Sequence, residues 1–597
     1  MSAINPNTSH TYEIAALLEE ILGDPYDFKN PINIAQAIEW DEHSVFPEES
    51  IQVLRDIGLF EFFIPHQYGG KLTNAEQLIG LCRVLARRDL TVAIAIGQTF
   101  LGALPVWFAG NESQIKHLIA CLRQGDLGCL ALTEKAHGSD LLSIAVSAQQ
   151  TSNGFVLNGE KWLINNATQG RTLSVLVRKF GTHNQVELGV LLIDKMQLQG
   201  GFKPLEKIAT HGIRGADISG IEFSNCHVNS DCVLSKHQEP SIFSVFKALQ
   251  VSRILCAGFS LGALDTALRT TLKFVRERTL YAKPLLSVPS VQNALAIQYV
   301  RMLLVDAVAC VSSRAVSTLP AQLSVWSAVT KYFVPVTTEQ AIHDLKVVLG
   351  ARYYLRNEFC AGVFQKLARD NEVVSLFDGS TQVNLNIIAS QLYAVLSQLV
   401  ANSANDQRVQ LDCLLSNQST PNALFVADQF QLSNKGLDPL MAWLYGFASC
   451  HTHQELPLLT TSLEKLLTIK QKLDAFIAQE CQAYAAGDKN PHSVARFNRA
   501  KTYTVLFALA AFLYVWASQH AVQQKIKPEV VDCLLDYVLL SMGLIENHTF
   551  AGQDAVIDLM MMQFETNELF SIHECPIASS DGLFSHNNQA ALGVLSA

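Results

Sequence analysis

A chain of 597 residues with 49% apolar and 16% charged side chains buries more than one core and is no disordered segment. Its formal charge of −10, without any basic run, argues against a nucleic-acid partner, whose phosphates call for clustered Lys and Arg. Thirteen cysteines with no Cys-x-x-Cys pair imply free thiols in a reducing compartment.

The segment Met1 to Asp24 holds several acids, and no basic residue precedes Lys29. It resembles neither a secretory signal nor a transit peptide, so a cytoplasmic protein is expected. Residues 1–128 read as a helical domain. Leu78, Ile79, Cys82, Leu85 and Ala86 follow the spacing that keeps one helix face apolar. A second helix is expected from Glu112 through Leu122, ending near Gly125. Between them, His66 to Gly70 reads as a turn whose paired glycines take positive φ.

From 129 to 238 the pattern turns to strands, with β-rich runs at Gly154–Leu157, Ser174–Val177, Leu188–Ile193 and Gly220–Phe223. Helical periodicity returns over 239–400. Residues 401–435, rich in Asn, Ser, Gln and Asp, suggest an exposed linker, and 436–597 a further domain of four or five helices with a loose end. Its most apolar window, Tyr503 to Ser518, is short for a membrane span and reads as a buried core helix. An interfacial helix making membrane contact through 503–518 is the alternative reading.

Two segments carry chemistry. Leu376-Phe377-Asp378-Gly379-Ser380-Thr381-Gln382, read with Ala131-Leu132-Thr133-Glu134-Lys135-Ala136-His137-Gly138-Ser139-Asp140, resembles the two hallmark segments of the acyl-CoA dehydrogenase family. Further matches fall in order between about residues 50 and 395. They include Tyr68-Gly69-Gly70, Gly110-Asn111-Glu112, Leu157 to Lys161, Gly212 to Asp217, Glu277-Arg278 with Tyr281, and Arg369-Asp370.

The resemblance implies a mainly α fold with an inserted β-domain, an α-β-α architecture to which the extra C-terminal helical domain is added. It also implies FAD-dependent α,β-dehydrogenation of an acyl thioester, carried on CoA or an acyl carrier protein, to the trans-2-enoyl thioester. Asp378 is then the base for the α-proton, and its backbone N–H helps hold the carbonyl oxygen, since a developing enolate needs both groups facing one carbon. Hydride leaves to flavin N5.

By the same resemblance Ala131, Leu132, Thr133, Gly138, Ser139, Leu163, Ile164, Asn165, Tyr281, Gln292, Gly350, Ser380 and Gln382 contact FAD. Arg278 reaches the pyrophosphate, often of a neighbouring subunit, and Ser139, Arg253 and Gly379 contact substrate. No Gly-x-Gly-x-x-Gly fingerprint supports FAD independently. An electron-transfer flavoprotein and a homodimer are the implied partners.

Departures stand beside the matches. The family base is Glu and here is Asp, set back by about 1.5 Å, one carbon–carbon bond. Leu163-Ile164-Asn165 replaces Trp-Ile-Thr, Pro289 replaces a glutamine, and Leu385 an arginine. An oxygen-using oxidase and a non-catalytic acyl-thioester-binding scaffold therefore remain alternatives. Glu134 and Asp140 are read as structural. Cys450, His451 and His453 lie too close in sequence to close a metal site without distant partners, and no metal is expected.

Overall fold

The computed structural model describes residues 10–181, 186–234, 241–356, 359–401, 411, 413–415, 423–449, 456–520, 525–546 and 550–578. Six helices come first: α1 (His10–Leu22), α2 (Ile34–His43), α3 (Glu48–Asp56), α4 (Ala75–Arg88), α5 (Leu90–Ala109) and α6 (Glu112–Arg123). Their starts are written in the side chains. Asn74 Oδ1 accepts the Gln77 N–H at 3.0 Å and caps α4. Asn111 and Gln114 bond each other's backbone N–H at the start of α6, at 3.0 and 2.9 Å.

The His66–Gly70 turn divides its glycines differently from expectation. Gly69 takes φ +82°. Gly70 does not, and serves close packing, because a Cβ there would sit 2.1 Å from Ile64 O.

Seven strands follow: β1 (Gly128–Ala131), β2 (Ser147–Thr151), β3 (Gly154–Asn165), β4 (Thr172–Phe180), β5 (Val186–Asp194), β6 (Phe202–Pro204) and β7 (Ile218–Asn229). They pair in the order β1-β4-β2-β3-β7-β6, with β5 pairing antiparallel along the other edge of β4, around their own apolar core of Ala131, Leu157, Val175, Leu191 and Phe223. β3 pairs antiparallel with β7, with an irregularity between Trp162 and Ile164.

The core then becomes helical again: α7 (Ser241–Glu277), a tight hairpin of β8 (Thr279–Leu280) and β9 (Lys283–Pro284), α8 (Pro289–Thr318), α9 (Leu323–Leu349), α10 (Val363–Asn371) and α11 (Thr381–Ala401). Among the described residues five more helices follow: α12 (Pro439–Ser449), α13 (Thr460–Ala485), α14 (Val494–His520), α15 (Pro528–Ser541) and α16 (Gln553–Glu565).

The window from Tyr503 lies in α14, which packs on α8 and α11 with Tyr503, Phe507 and Phe512 fully buried. Among the described residues four helices are long and apolar enough to cross a membrane, yet 78–94% of each such window is buried inside the protein. Their apolar surface goes to the core.

The expected exposed linker is not one where it is described. Leu424, Phe425 and Phe430 are buried, and Phe430 meets Phe108 edge-on at 4.9 Å. Gln67 Nε2 donates to Leu424 O at 2.8 Å. A polar composition hid three large apolar anchors. The Cys450–His453 cluster and the expected loose end from 579 lie outside the described residues.

Candidate active site

The sheet, α5, α7 and the turn before α11 enclose a cavity of about 640 Å³. Of the residues singled out in the sequence, Leu132, Thr133, Gly138, Ser139, Leu163, Ile164, Asn165, Arg253, Asp378, Gly379 and Ser380 line it. Strand alternation excludes Ala131, which turns into the sheet core while Leu130 and Leu132 face the cavity. At the β3 irregularity Leu163 takes φ +60° and emerges 43% exposed, as expected of a bulge that re-aims a side chain beside a site.

Arg278, Tyr281, Gln292, Gly350 and Gln382 do not reach this cavity. Tyr281 is 91% exposed at the tip of the β8–β9 hairpin, Arg278, Gly350 and Gln382 are exposed, and Gln292 is half-buried.

Sequence reasoning missed Gln98, Gln250 and Leu432, which also line the cavity. Gln98 had a signal, an amide inside the otherwise apolar stretch of α5. Leu432 had none, because it belongs to the supposed linker. Gln250 Nε2 donates to Gln431 O at 2.8 Å, which seats that segment on α7.

Asp378 sits in the turn at φ +51°, followed by Gly379 at φ +94°. The left-handed region costs most residues about 1–2 kcal/mol, least for Gly, Asn and Asp. Lys331, itself fully buried, holds both sides of the turn by donating to Val374 O at 2.7 Å and Gly379 O at 3.2 Å. Asn384 Nδ2 donates to Gly379 O at 2.9 Å.

Cys256 Sγ donates weakly to Asp378 Oδ2 at 3.7 Å. Among the described residues Asp378 Oδ1, Arg253 Nε and Asn165 Oδ1 are buried without a hydrogen-bond partner, and no acceptor meets the Asp378 backbone N–H. Unpaired buried polar groups are costly, so they mark where a ligand is received. Burial pushes the Asp378 carboxyl above the usual carboxylate range, and the Arg253 and Lys331 cations pull it partly back. Burial also pushes the Lys331 ammonium down.

Two braces fix the frame. Glu134 braces the turn after β1. Its carboxylate accepts from Lys161 Nζ at 2.8 Å and from the Ala145 and Val146 N–H groups at 2.6 and 2.9 Å. Lys161 also donates to Leu132 O at 2.9 Å, pinning the segment after β1 that carries Thr133. Burial lowers the Lys161 ammonium to about 8 despite this partner. Farther along, Asp370 Oδ1 accepts the Ile213 N–H at 2.6 Å, tying the loop after β6 to the helix that leads into the Asp378 turn.

The acyl-CoA dehydrogenase N-terminal, middle and C-terminal domain models match residues 31–126, 129–226 and 244–393. The chain belongs to the acyl-CoA dehydrogenase family. It is 23% identical over 364 residues to a 3-(aryl)acrylate reductase of Clostridium sporogenes, covering 60% of this chain and 93% of that one. It is 26% identical over 366 residues to a cyclohex-1-ene-1-carbonyl-CoA dehydrogenase of Geobacter metallireducens, covering 58% and 90%.

Among solved structures, the acyl-CoA dehydrogenase complexed with FAD from Bacillus anthracis superposes with a TM-score of 0.61 at 17% identity, over 94% of this chain and 96% of that one. The family's α-β-α core and the added C-terminal helices are thus shared as a fold. The prolyl acyl carrier protein oxidase AnaB gives a TM-score of 0.58 at 19% identity over 65% and 100%.

Proposed function

We propose that this acyl-CoA dehydrogenase family member removes the α- and β-hydrogens of an acyl thioester, carried on CoA or an acyl carrier protein, to give the trans-2-enoyl thioester. One observation carries the reading: Asp378 presents a half-buried carboxyl with one unpartnered oxygen to the cavity, in a turn held by Lys331. Asp378 takes the α-proton. Its unpartnered backbone N–H faces the carbonyl oxygen as charge develops there. Bracing the turn matters, because a misplacement of about 1 Å costs roughly 100-fold in rate.

The cavity's polar wall fits FAD. Thr133, Ser139 and Asn165 offer hydrogen-bonding groups, the Asn165 carbonyl oxygen is unpartnered within the chain, and a Cβ at Gly138 would meet nothing within 4 Å. FAD, when bound, accepts the β-hydrogen as hydride. Thr133, Ser139, Leu163, Ile164, Asn165 and Ser380 would hold it from this chain.

Arg278, Tyr281, Gln292, Gly350 and Gln382 stand outside the cavity, and a second copy of the chain would supply them to FAD. Their placement supports the reading of a homodimer. The electron acceptor is either an electron-transfer flavoprotein or oxygen, and peroxide formation under air separates the two.

The test is an anaerobic addition of acyl-CoA thioesters to FAD-supplemented protein. Loss of the oxidised flavin absorbance with one acyl class supports the reading. Protein that never retains FAD, or flavin that no acyl thioester bleaches, favours a scaffold.

A further inference from the structure

A second, much smaller cavity of about 30 Å³ begins at Asp378 and runs between α5 and α7. It shares Gln98, Leu101, Phe377 and Asp378 with the large cavity. The walls differ in character: the large cavity carries the hydrogen-bonding groups, while the small one is bounded by Phe63, Phe100, Phe259 and Phe377. An apolar pocket that opens at a proton-abstracting carboxylate receives the apolar part of the molecule being deprotonated.

Cys256 touches Asp378, and Phe259, three residues on, lies on the same helix face. Phe259 lines the small cavity beside Gly97. Its ring tip rests where α5 has no side chain, since a Cβ on Gly97 would come 2.6 Å from Phe259 Cζ. The ring also lies 6.2 Å from that of Phe377. A cavity of about 150 Å³ is the size that takes a benzene ring, so about 30 Å³ admits neither a ring nor a long chain.

Resting on the function proposed above, we infer that the substrate is a short, unbranched acyl thioester. Its chain beyond the β-carbon ends after about one carbon, since about 30 Å³ is roughly the share of liquid volume of one water-sized group, and Phe259 on Gly97 is the specificity-determining contact. Gln98, at the junction of the two cavities, meets the chain where it passes from polar to apolar wall.

The experiment separates binding from turnover by using Asp378→Asn, supplemented with FAD. Equilibrium binding of butanoyl-, octanoyl- and dodecanoyl-CoA is measured by calorimetry, alone and with Phe259→Ala added. The more conservative Phe259→Leu guards against loss of the fold. Butanoyl-CoA should bind at least about tenfold more tightly than octanoyl-CoA, since a single methylene in a fitted apolar pocket is worth about 10- to 200-fold. Phe259→Ala or Phe259→Leu should shrink that ratio by raising octanoyl affinity.

Equal affinity for butanoyl and dodecanoyl chains, or a ratio unmoved by both Phe259 variants, overturns the inference and leaves the dehydrogenase reading standing. Failure of every acyl chain to bind, both as the CoA and as the acyl-carrier-protein thioester, overturns both.

Discussion

Asp378 stands in a contest between burial, which favours the neutral acid, and two cations, which favour the carboxylate. Only the carboxylate can take a proton, so the acid limb of the pH–rate profile should lie above the ordinary aspartate value of about 3.9. Lys331→Met removes one of the opposing cations and should move that limb to higher pH, whereas Lys331→Arg should restore much of it. The same Met variant leaves the Val374 and Gly379 carbonyls without their donor and should lower stability by about 1–3 kcal/mol in denaturant melts. An unmoved limb in Lys331→Met would remove Lys331 from the account. Asp378 was legible in the sequence because its neighbours form a contiguous motif. Lys331 was not, because its reach to the turn is made by tertiary packing of α9, and a lone lysine in a helix carries no sign of its destination.

At the scale of elements, alternation and helical spacing made the strands and helices legible, and caps at Asn74 and Asn111 placed their ends. The β3 bulge was not, since one extra residue against β7 leaves composition unchanged. Nor was the strap that follows α16. Phe570 N and Ser571 Oγ donate to the buried Asp265 and Asp306 at 2.9 and 2.6 Å, and Arg83 donates to Phe570 O at 2.9 Å. Beside it His573 lies 3.3 Å from Cys310, which donates to Glu76 at 3.7 Å. Burial pushes the His573 imidazole down to about 3, so it is neutral at physiological pH. A hydrogen bond to a charged partner is worth about 1.5–3 kcal/mol, and Ser571→Ala should destabilise the chain by that amount in denaturant melts, with unchanged stability counting against the strap.

A pH signature belongs to this scale too. Burial raises the Asp438 carboxyl at the start of α12 from 3.8 to about 6, with Tyr503 donating to it. A carboxyl raised on folding holds its proton longer in the folded chain, so its contribution to stability falls as pH climbs from about 4 to about 6. Asp438→Asn lacks that loss. Its advantage over the parent chain should grow across this window by up to about 3 kcal/mol, at about 1.4 kcal/mol per pKa unit. Melts that track in parallel from pH 4 to 7 would contradict the assignment.

Across the whole molecule, Arg278, Tyr281, Gln292, Gly350 and Gln382, which the resemblance assigns to FAD, stand apart from the cavity, and the proposed homodimer would bring them to it from a second copy. Sedimentation should give twice the chain mass, and Arg278→Ala should weaken FAD retention without altering thermal stability of the cofactor-free protein. A monomer that keeps FAD fully would contradict the dimer. The α-β-α order was legible because the periodicity changes twice along the chain. The place of Leu432 in the cavity wall was not, because that segment reads as polar linker and its role appears only when Gln250 seats it on α7.

The most direct test of the central claim follows the α-proton itself. FAD-supplemented protein is incubated anaerobically in D₂O with butanoyl-CoA, and deuterium entering the α-carbon is measured by mass spectrometry for the parent chain and for Asp378→Asn. The account predicts exchange in the parent and a loss of about 100- to 10,000-fold in the variant, the range for a positioned general base, with flavin content unchanged. Equal exchange in both proteins would show that Asp378 is not the base.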